Sequence, residues 1–215
     1  MQIISHRGYW LNTEEKNKES SFVRSFDNGF GTEIDLRENG GNIVISHDIP
    51  SGGEITFEEV LQTMRGRNLL LALNIKSDGL IDKILNLLDK YDHTNYFTFD
   101  MSIPDMVVQI EKGAKVFSPL SDLVNPAVLL DKSKGVWLDA FNSLWYREKE
   151  IDNLIDNGKQ VCVVSSDLHK RFEELESQWQ LLSRCKNYNS NDLILCTDSP
   201  IKAINFLKME VKECK

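Results

Sequence analysis

A chain of 215 residues with 41% hydrophobic side chains can bury a full core, and nothing in its length demands more than one domain. A formal net charge of -8 and a pI near 5.1 argue against a protein that grips nucleic acid or an anionic bilayer through a general basic face. Any phosphate ligand must then be held by local charge.

In chain order, short β-rich runs alternate with amphipathic segments, the pattern of parallel strands covered by crossover helices. The first predicted strand spans residues 2–5 and the second 32–36. Between the second strand and the helix that begins after Thr56 lies an insert, in which Asn39-Gly40-Gly41 is a hairpin-type turn and residues 43–46 form a short extra strand returning His47 to the mouth of the fold. Thr56 followed by Phe57, Glu58 and Glu59 is a capping box.

A third strand over 69–75 leads to an apolar helical stripe of Leu80, Ile81, Ile84, Leu85 and Leu88. Strands follow at 96–99, 115–118, 135–138, 160–164 and 192–196, with the segment 120–133 the least regular. Ser199-Pro200 opens the last helix, whose stripe is Ile201, Ile204 and Leu207. Eight such units predict an α/β chain with the (β/α)8 TIM-barrel fold, a single compact domain with tight loops; an open doubly wound sheet would want a Gly-rich first turn, where Gly8 stands alone.

Cys162, Cys185, Cys196 and Cys214 have no CxxC spacing and read as reduced thiols. The first residues carry no basic segment leading into a long apolar one, and no later run approaches the ~18 apolar residues a bilayer span requires. A cytoplasmic protein without membrane insertion is the expectation.

Functional groups of such a fold project from the C-terminal ends of strands. There the first strand ends in His6-Arg7, the second carries Glu33 and Asp35, the extra strand ends in His47-Asp48, and the third ends in Asn74 and Lys76. Residues i and i+2 of a strand share a face, so Glu33 and Asp35 stand together; two adjacent carboxylates call for a hard divalent cation, Mg2+ or Ca2+. Taken singly, the pair reads equally well as surface residues of an edge strand, His6 as a structural histidine and His47 as a turn residue. Together, two histidines at one mouth offer an acid and a base for phosphodiester cleavage. His93 and His169 read as structural.

SHRG after the first strand, a helix with Phe22 leading to GFGTEIDL, then VISHD, NIK and LILCTDSP resemble, in order from Ile3 to about Leu207, the glycerophosphodiester phosphodiesterase family within the phosphatidylinositol phospholipase C-like barrel superfamily. The resemblance implies His6 and His47 as the catalytic pair, Glu33 and Asp35 as metal ligands, and Arg7 and Lys76 as phosphate holders. Asp198 belongs to loop structure. Where the family has a third ligand glutamate this sequence has Asn74, a neutral oxygen donor and the candidate third metal ligand, and it has Lys16-Asn17-Lys18 where the family reads PENT. It also leaves no room after His47-Asp48 for the small inserted subdomain of many members. The expected function is a metal-dependent phosphodiesterase on a small glycerophosphodiester-like or sugar phosphodiester, with no nucleic-acid partner. The rival is a degenerate barrel that binds a phosphorylated ligand without turnover.

Overall fold

The computed structural model describes residues 1–213, with side chains described to Lys208, so Cys214 lies outside the described residues. The elements are β1 (Gln2–His6), α1 (Glu19–Asp27), β2 (Gly31–Asn39), β3 (Asn42–Ile45), α2 (Phe57–Met64), β4 (Leu71–Ile75), α3 (Ile81–Lys90), β5 (Tyr96–Phe99) and α4 (Ile103–Glu111), then β6 (Phe117–Leu120), β7 (Gly135–Leu138), α5 (Glu148–Asp156), β8 (Gln160–Val164), α6 (Leu175–Arg184), β9 (Leu193–Thr197) and α7 (Pro200–Glu213). Strand order is β5-β4-β2-β1-β9-β8-β7-β6, with β3 paired to β2 off this path. Parallel strands alternating with helices in this order are the (β/α)8 fold that the sequence predicts. Among the described residues, no helix is long and apolar enough to cross a membrane.

Contacts divide the chain into two compact units, Ser5–Val116 and Met1–Ile4 with Phe117–Lys215. In the first, Ile34, Leu36, Leu71, Leu73 and Ile75 point one way from their strands and bury against Phe22, Phe26, Phe57, Val60, Ile81, Ile84 and Leu88 of the helices. The period of two then sends Glu33, Asp35, Ala72 and Asn74 to the opposite face, and Asp35 lies beside Asn74 in the parallel register. Strand β2 runs three residues past the predicted end because it continues into an antiparallel hairpin with β3, from Leu36↔Ile45 to Asn39↔Asn42. Gly40 and Gly41, at φ 59° and 86°, make a two-residue turn with positive φ at both positions, a conformation glycine adopts without steric cost. The predicted capping box is present: Glu59 N–H donates to Thr56 Oγ1 and Thr56 N–H to Glu59 Oε2. The predicted α3 stripe is buried, with Leu85 half-buried.

In the second unit, Val136, Leu138, Val161, Val163, Leu193 and Leu195 pack against Trp179, Leu182, Ala203 and Leu207. The strand predicted at 192–196 lies one residue later, as β9 (Leu193–Thr197), and two further features differ from expectation. The strand predicted at 115–118 is β6 (Phe117–Leu120), because Val116 forms an isolated bridge to Thr98 and the ladder with β7 starts only at Phe117↔Gly135. The inward face of α7 is Ala203 and Leu207, while Ile201 is exposed. Two residues along a helix turn the side chain by about 200°, so Ile201 cannot share a face with Ala203. Residues 121–134 contain no helix, as their irregular sequence suggests. Cys162, Cys185 and Cys196 are buried.

Candidate active site

Every predicted site residue belongs to the unit Ser5–Val116. The chain leaves β1 in a sharp turn at Arg7 and Gly8, both at positive φ (58° and 84°). Position 8 must be glycine, since a Cβ there would stand 2.2 Å from Ser21 Oγ. Arg7 N–H donates to the Glu33 carbonyl at 3.0 Å and Gly8 N–H to Thr32 Oγ1 at 2.9 Å, which ties this turn to β2.

The turn sets His6 and Arg7 over the two carboxylates of β2. His6 Nε2 is 3.8 Å from Glu33 Oε2, and Arg7 Nε is 2.9 Å from Asp35 Oδ2. The latter is an ion pair by distance but not a hydrogen bond by angle, for Arg7 Nε has no hydrogen-bond partner. Lys76 Nζ stands 3.7 Å from Asp35 Oδ1. Glu33 and Asp35 are 1% and 0% exposed. Burial and the Asp35 charge hold the Glu33 carboxyl well above the usual carboxylate range, against the opposing pull of Arg7, Lys76 and a hydrogen bond from Asn74.

Glu33 Oε2, Asp35 Oδ1 and Asn74 Oδ1 are all buried without a hydrogen-bond partner. A buried polar atom left unpaired costs about 1–3 kcal/mol. Three hard oxygens in that condition, two of them from carboxyl groups, fit the demand of Mg2+ or Ca2+, whose charge would favour the ionised form of Glu33. Among the described residues no group of three or more His, Cys, Asp or Glu side chains could hold a metal ion. The donor set here has only two carboxylates, and an amide stands third.

His47 follows the end of β3, where Ser46 N–H donates to the Asp35 carbonyl at 3.0 Å. Its side chain is 48% exposed and its Nδ1 lies 2.8 Å from Asp48 Oδ1. That bond holds the Asp48 carboxyl below its ordinary range. Contacts thus link His6, Arg7, Glu33, Asp35, Asn74 and Lys76 directly, and bring His47 to the same strand through backbone.

Two residues of this neighbourhood escape sequence reasoning. Asn17, held at φ 58°, donates from Nδ2 to Asp35 Oδ2 at 2.8 Å, and its own Oδ1 is buried without a partner. Arg37 bonds the carbonyls of both His47 and Lys76. Counting two more residues along β2 from Asp35 would have marked Arg37; the resemblance marks the Lys16-Asn17-Lys18 block, but nothing local tells that Asn17 meets Asp35. Lys16, basic where the resemblance would place an acid, lies over the Trp10 ring at 4.4 Å. His93 is buried against the Asn95 carbonyl, and burial lowers its pKa, as befits a structural histidine. His169, also read as structural, lies in the other unit with Nε2 2.7 Å from Asp139 Oδ1. Asp198 follows β9 and adds its charge near Asp167, whose carboxyl burial raises.

No protein-family model matches the chain, and no curated protein matches it. Solved structures do. A phosphodiesterase from Oleispira antarctica, in complex with the product sn-glycerol-3-phosphate, aligns with a TM-score of 0.64 at 16% identity, covering 97% of each chain. A glycerophosphodiester phosphodiesterase from Agrobacterium tumefaciens aligns with a TM-score of 0.64 at 14% identity, over 93% of this chain and 97% of that one. A phosphoribosyl anthranilate isomerase from Thermus thermophilus aligns with a TM-score of 0.52 at 12% identity over both full chains. At these identities the likeness is one of fold.

Proposed function

We propose that the chain is a metal-dependent phosphodiesterase of the glycerophosphodiester phosphodiesterase family, acting on a small glycerophosphodiester-like or sugar phosphodiester. One observation carries the reading: the three side chains read as candidate ligands, Glu33, Asp35 and Asn74, each present a buried oxygen without a partner on adjacent strands, and the two implied phosphate-binding cations stand beside the same Asp35. The likeness to two phosphodiesterases over nearly the whole chain supports it.

A bound Mg2+ or Ca2+ supplies positive charge to phosphoryl oxygens as they gain negative charge. Arg7 and Lys76 add a guanidinium fork and an ammonium to the same oxygens. Asp48 accepts the Nδ1–H of His47, which leaves Nε2 to take a proton from the nucleophile. That nucleophile is water, or a neighbouring substrate hydroxyl that would yield a cyclic phosphate. As its oxygen bonds to phosphorus the opposite P–O bond breaks, and His6 gives its proton to the departing alkoxide.

A second reading, a barrel that binds a phosphorylated ligand without turnover, draws on the ion pairs that already neutralise Asp35 and on the half-exposed His47. A panel of glycerophosphodiesters and bis-p-nitrophenyl phosphate, assayed with Mg2+, Ca2+ and Mn2+, separates the two. Turnover abolished by chelator, together with calorimetric metal binding that Asp35→Asn weakens, is the result expected of the enzyme. Ligand-dependent thermal stabilisation without product supports the binder, and unchanged metal affinity in Asp35→Asn rejects this metal site.

A further inference from the structure

Arg37 lies on β2 two residues beyond Asp35, and its guanidinium is divided between two other segments. Nε and Nη2 donate to the carbonyl of His47 at 3.1 and 2.9 Å, and Nη1 donates to the carbonyl of Lys76 at 3.1 Å. We infer that Arg37 is a positioning residue that fixes the histidine of the β3 loop and the phosphate-binding lysine relative to the strand that carries Glu33 and Asp35; its part in turnover rests on the phosphodiesterase reading.

The need for such a tie follows from where the ladders stop. The last rung of the β2·β3 hairpin towards His47 is Leu36↔Ile45, and beyond it the backbone meets β2 through Ser46 N–H, at the Asp35 carbonyl. His47 therefore sits past the end of strand pairing, at the head of a loop that contains Gly52 and Gly53, both at positive φ. Lys76 likewise lies one residue beyond the end of β4; its N–H donates to the Leu36 carbonyl at 2.9 Å, and Arg37 takes its carbonyl. A guanidinium presents donors on two edges of a rigid plane, so one side chain can hold both carbonyls at a set separation. An ammonium at the end of a flexible stem would satisfy one or the other. Arg37 touches neither Glu33 nor Asp35 in any of these bonds, so it acts on the backbone that carries His47 and Lys76 and not on the two carboxylates.

The test compares Arg37→Ala and Arg37→Lys with the natural protein in three measurements. Hydrogen exchange is expected to rise in residues 46–53 and 76–79 of Arg37→Ala while β2 and β4 keep their protection, and melting temperatures stay close to the natural value. Ca2+- or Mg2+-induced thermal stabilisation is expected to persist in both variants. In turnover of the phosphodiester panel, misplacing a histidine and a lysine by about an ångström should lower kcat/KM by about 10- to 100-fold, with Arg37→Lys intermediate and ethylguanidinium partly restoring Arg37→Ala but not His47→Ala. Unchanged exchange in both loops overturns the inference whatever the activity. Increased exchange with natural kcat/KM overturns the positioning role. If the natural protein turns over nothing on the panel, the function proposed above fails while the exchange measurement still decides whether Arg37 holds the two loops.

Discussion

The strand ends of the two units treat buried polar groups in opposite ways. Beyond β7 and β8, Gln178 is buried with its Oε1 accepting from Ser166 N–H at 2.8 Å and its Nε2 donating to Tyr146 Oη and the Val164 carbonyl at 2.8 and 2.9 Å. Trp179 Nε1 donates to Ser165 Oγ, and Asp139 accepts from Ala140 N–H and meets His169. On β2 and β4 and in the turn after β1, Glu33, Asp35, Asn74 and Asn17 each leave a buried oxygen without a partner. The first arrangement spends its polar groups on one another and rigidifies loops; the second holds them unsatisfied and close to cations, which lowers stability and leaves room for a ligand. Ser166 Oγ and Asp167 Oδ1 are exceptions in the otherwise satisfied region.

The largest effect that would sharpen this contrast is on turnover. His6→Ala and His47→Ala should each lower kcat by roughly 10²- to 10⁴-fold with circular dichroism unchanged, since loss of one acid or base has that size. Near-normal rates in either variant would break the assignment of the pair.

Next in size comes stability in the satisfied region. Gln178→Ala strips partners from Tyr146, Val164 and Ser166 at once, and about 1–3 kcal/mol is expected for each buried group left unpaired. Denaturant melts should show the loss, while turnover per folded molecule stays unchanged; an effect on turnover without loss of stability would tie this network to the chemistry instead.

Glu33 supplies a smaller and pH-dependent signal. Its folded pKa is raised by burial and by Asp35, so its contribution to stability is fully present below the unfolded carboxylate pKa and is lost as pH rises through the folded value. In chelator, melting temperature of the natural protein should therefore fall with pH above the ordinary carboxylate range, whereas Glu33→Gln should hold flat there and gain little from added Ca2+ or Mg2+. A parallel fall in both proteins would contradict the buried-carboxylate account.

Asn74→Glu is expected to have the smallest effect of these. Affinity for hard cations grows with the number of anionic oxygens, so the variant should show a larger Ca2+- or Mg2+-induced rise in melting temperature than the natural protein. An equal or smaller rise removes Asn74 from the metal site, because an unpaired third carboxylate would then destabilise the protein with and without metal.

Much of this was legible in the chain because the signals are local. The period of two along β2 places Glu33 and Asp35 on one face whatever the rest of the protein does, and the Gly40-Gly41 turn and the Thr56 capping box are written within four residues. Strands β5, β7 and β8 match their predicted bounds for the same reason. The face of α7 and the start of β6 depended on partners distant in sequence: Ile201 is exposed because Ala203 meets the core, and Phe117 begins its ladder where Gly135 lies beside it. Asn17 reaches Asp35 from 18 positions away through a positive-φ turn that no side-chain pattern announces. Residue type alone determined that oxygens and cations would gather at these strand ends. Which oxygens remain unpaired was decided only by tertiary structure, because a buried carboxylate is satisfied or not according to which donors distant segments bring within about 3 Å of it.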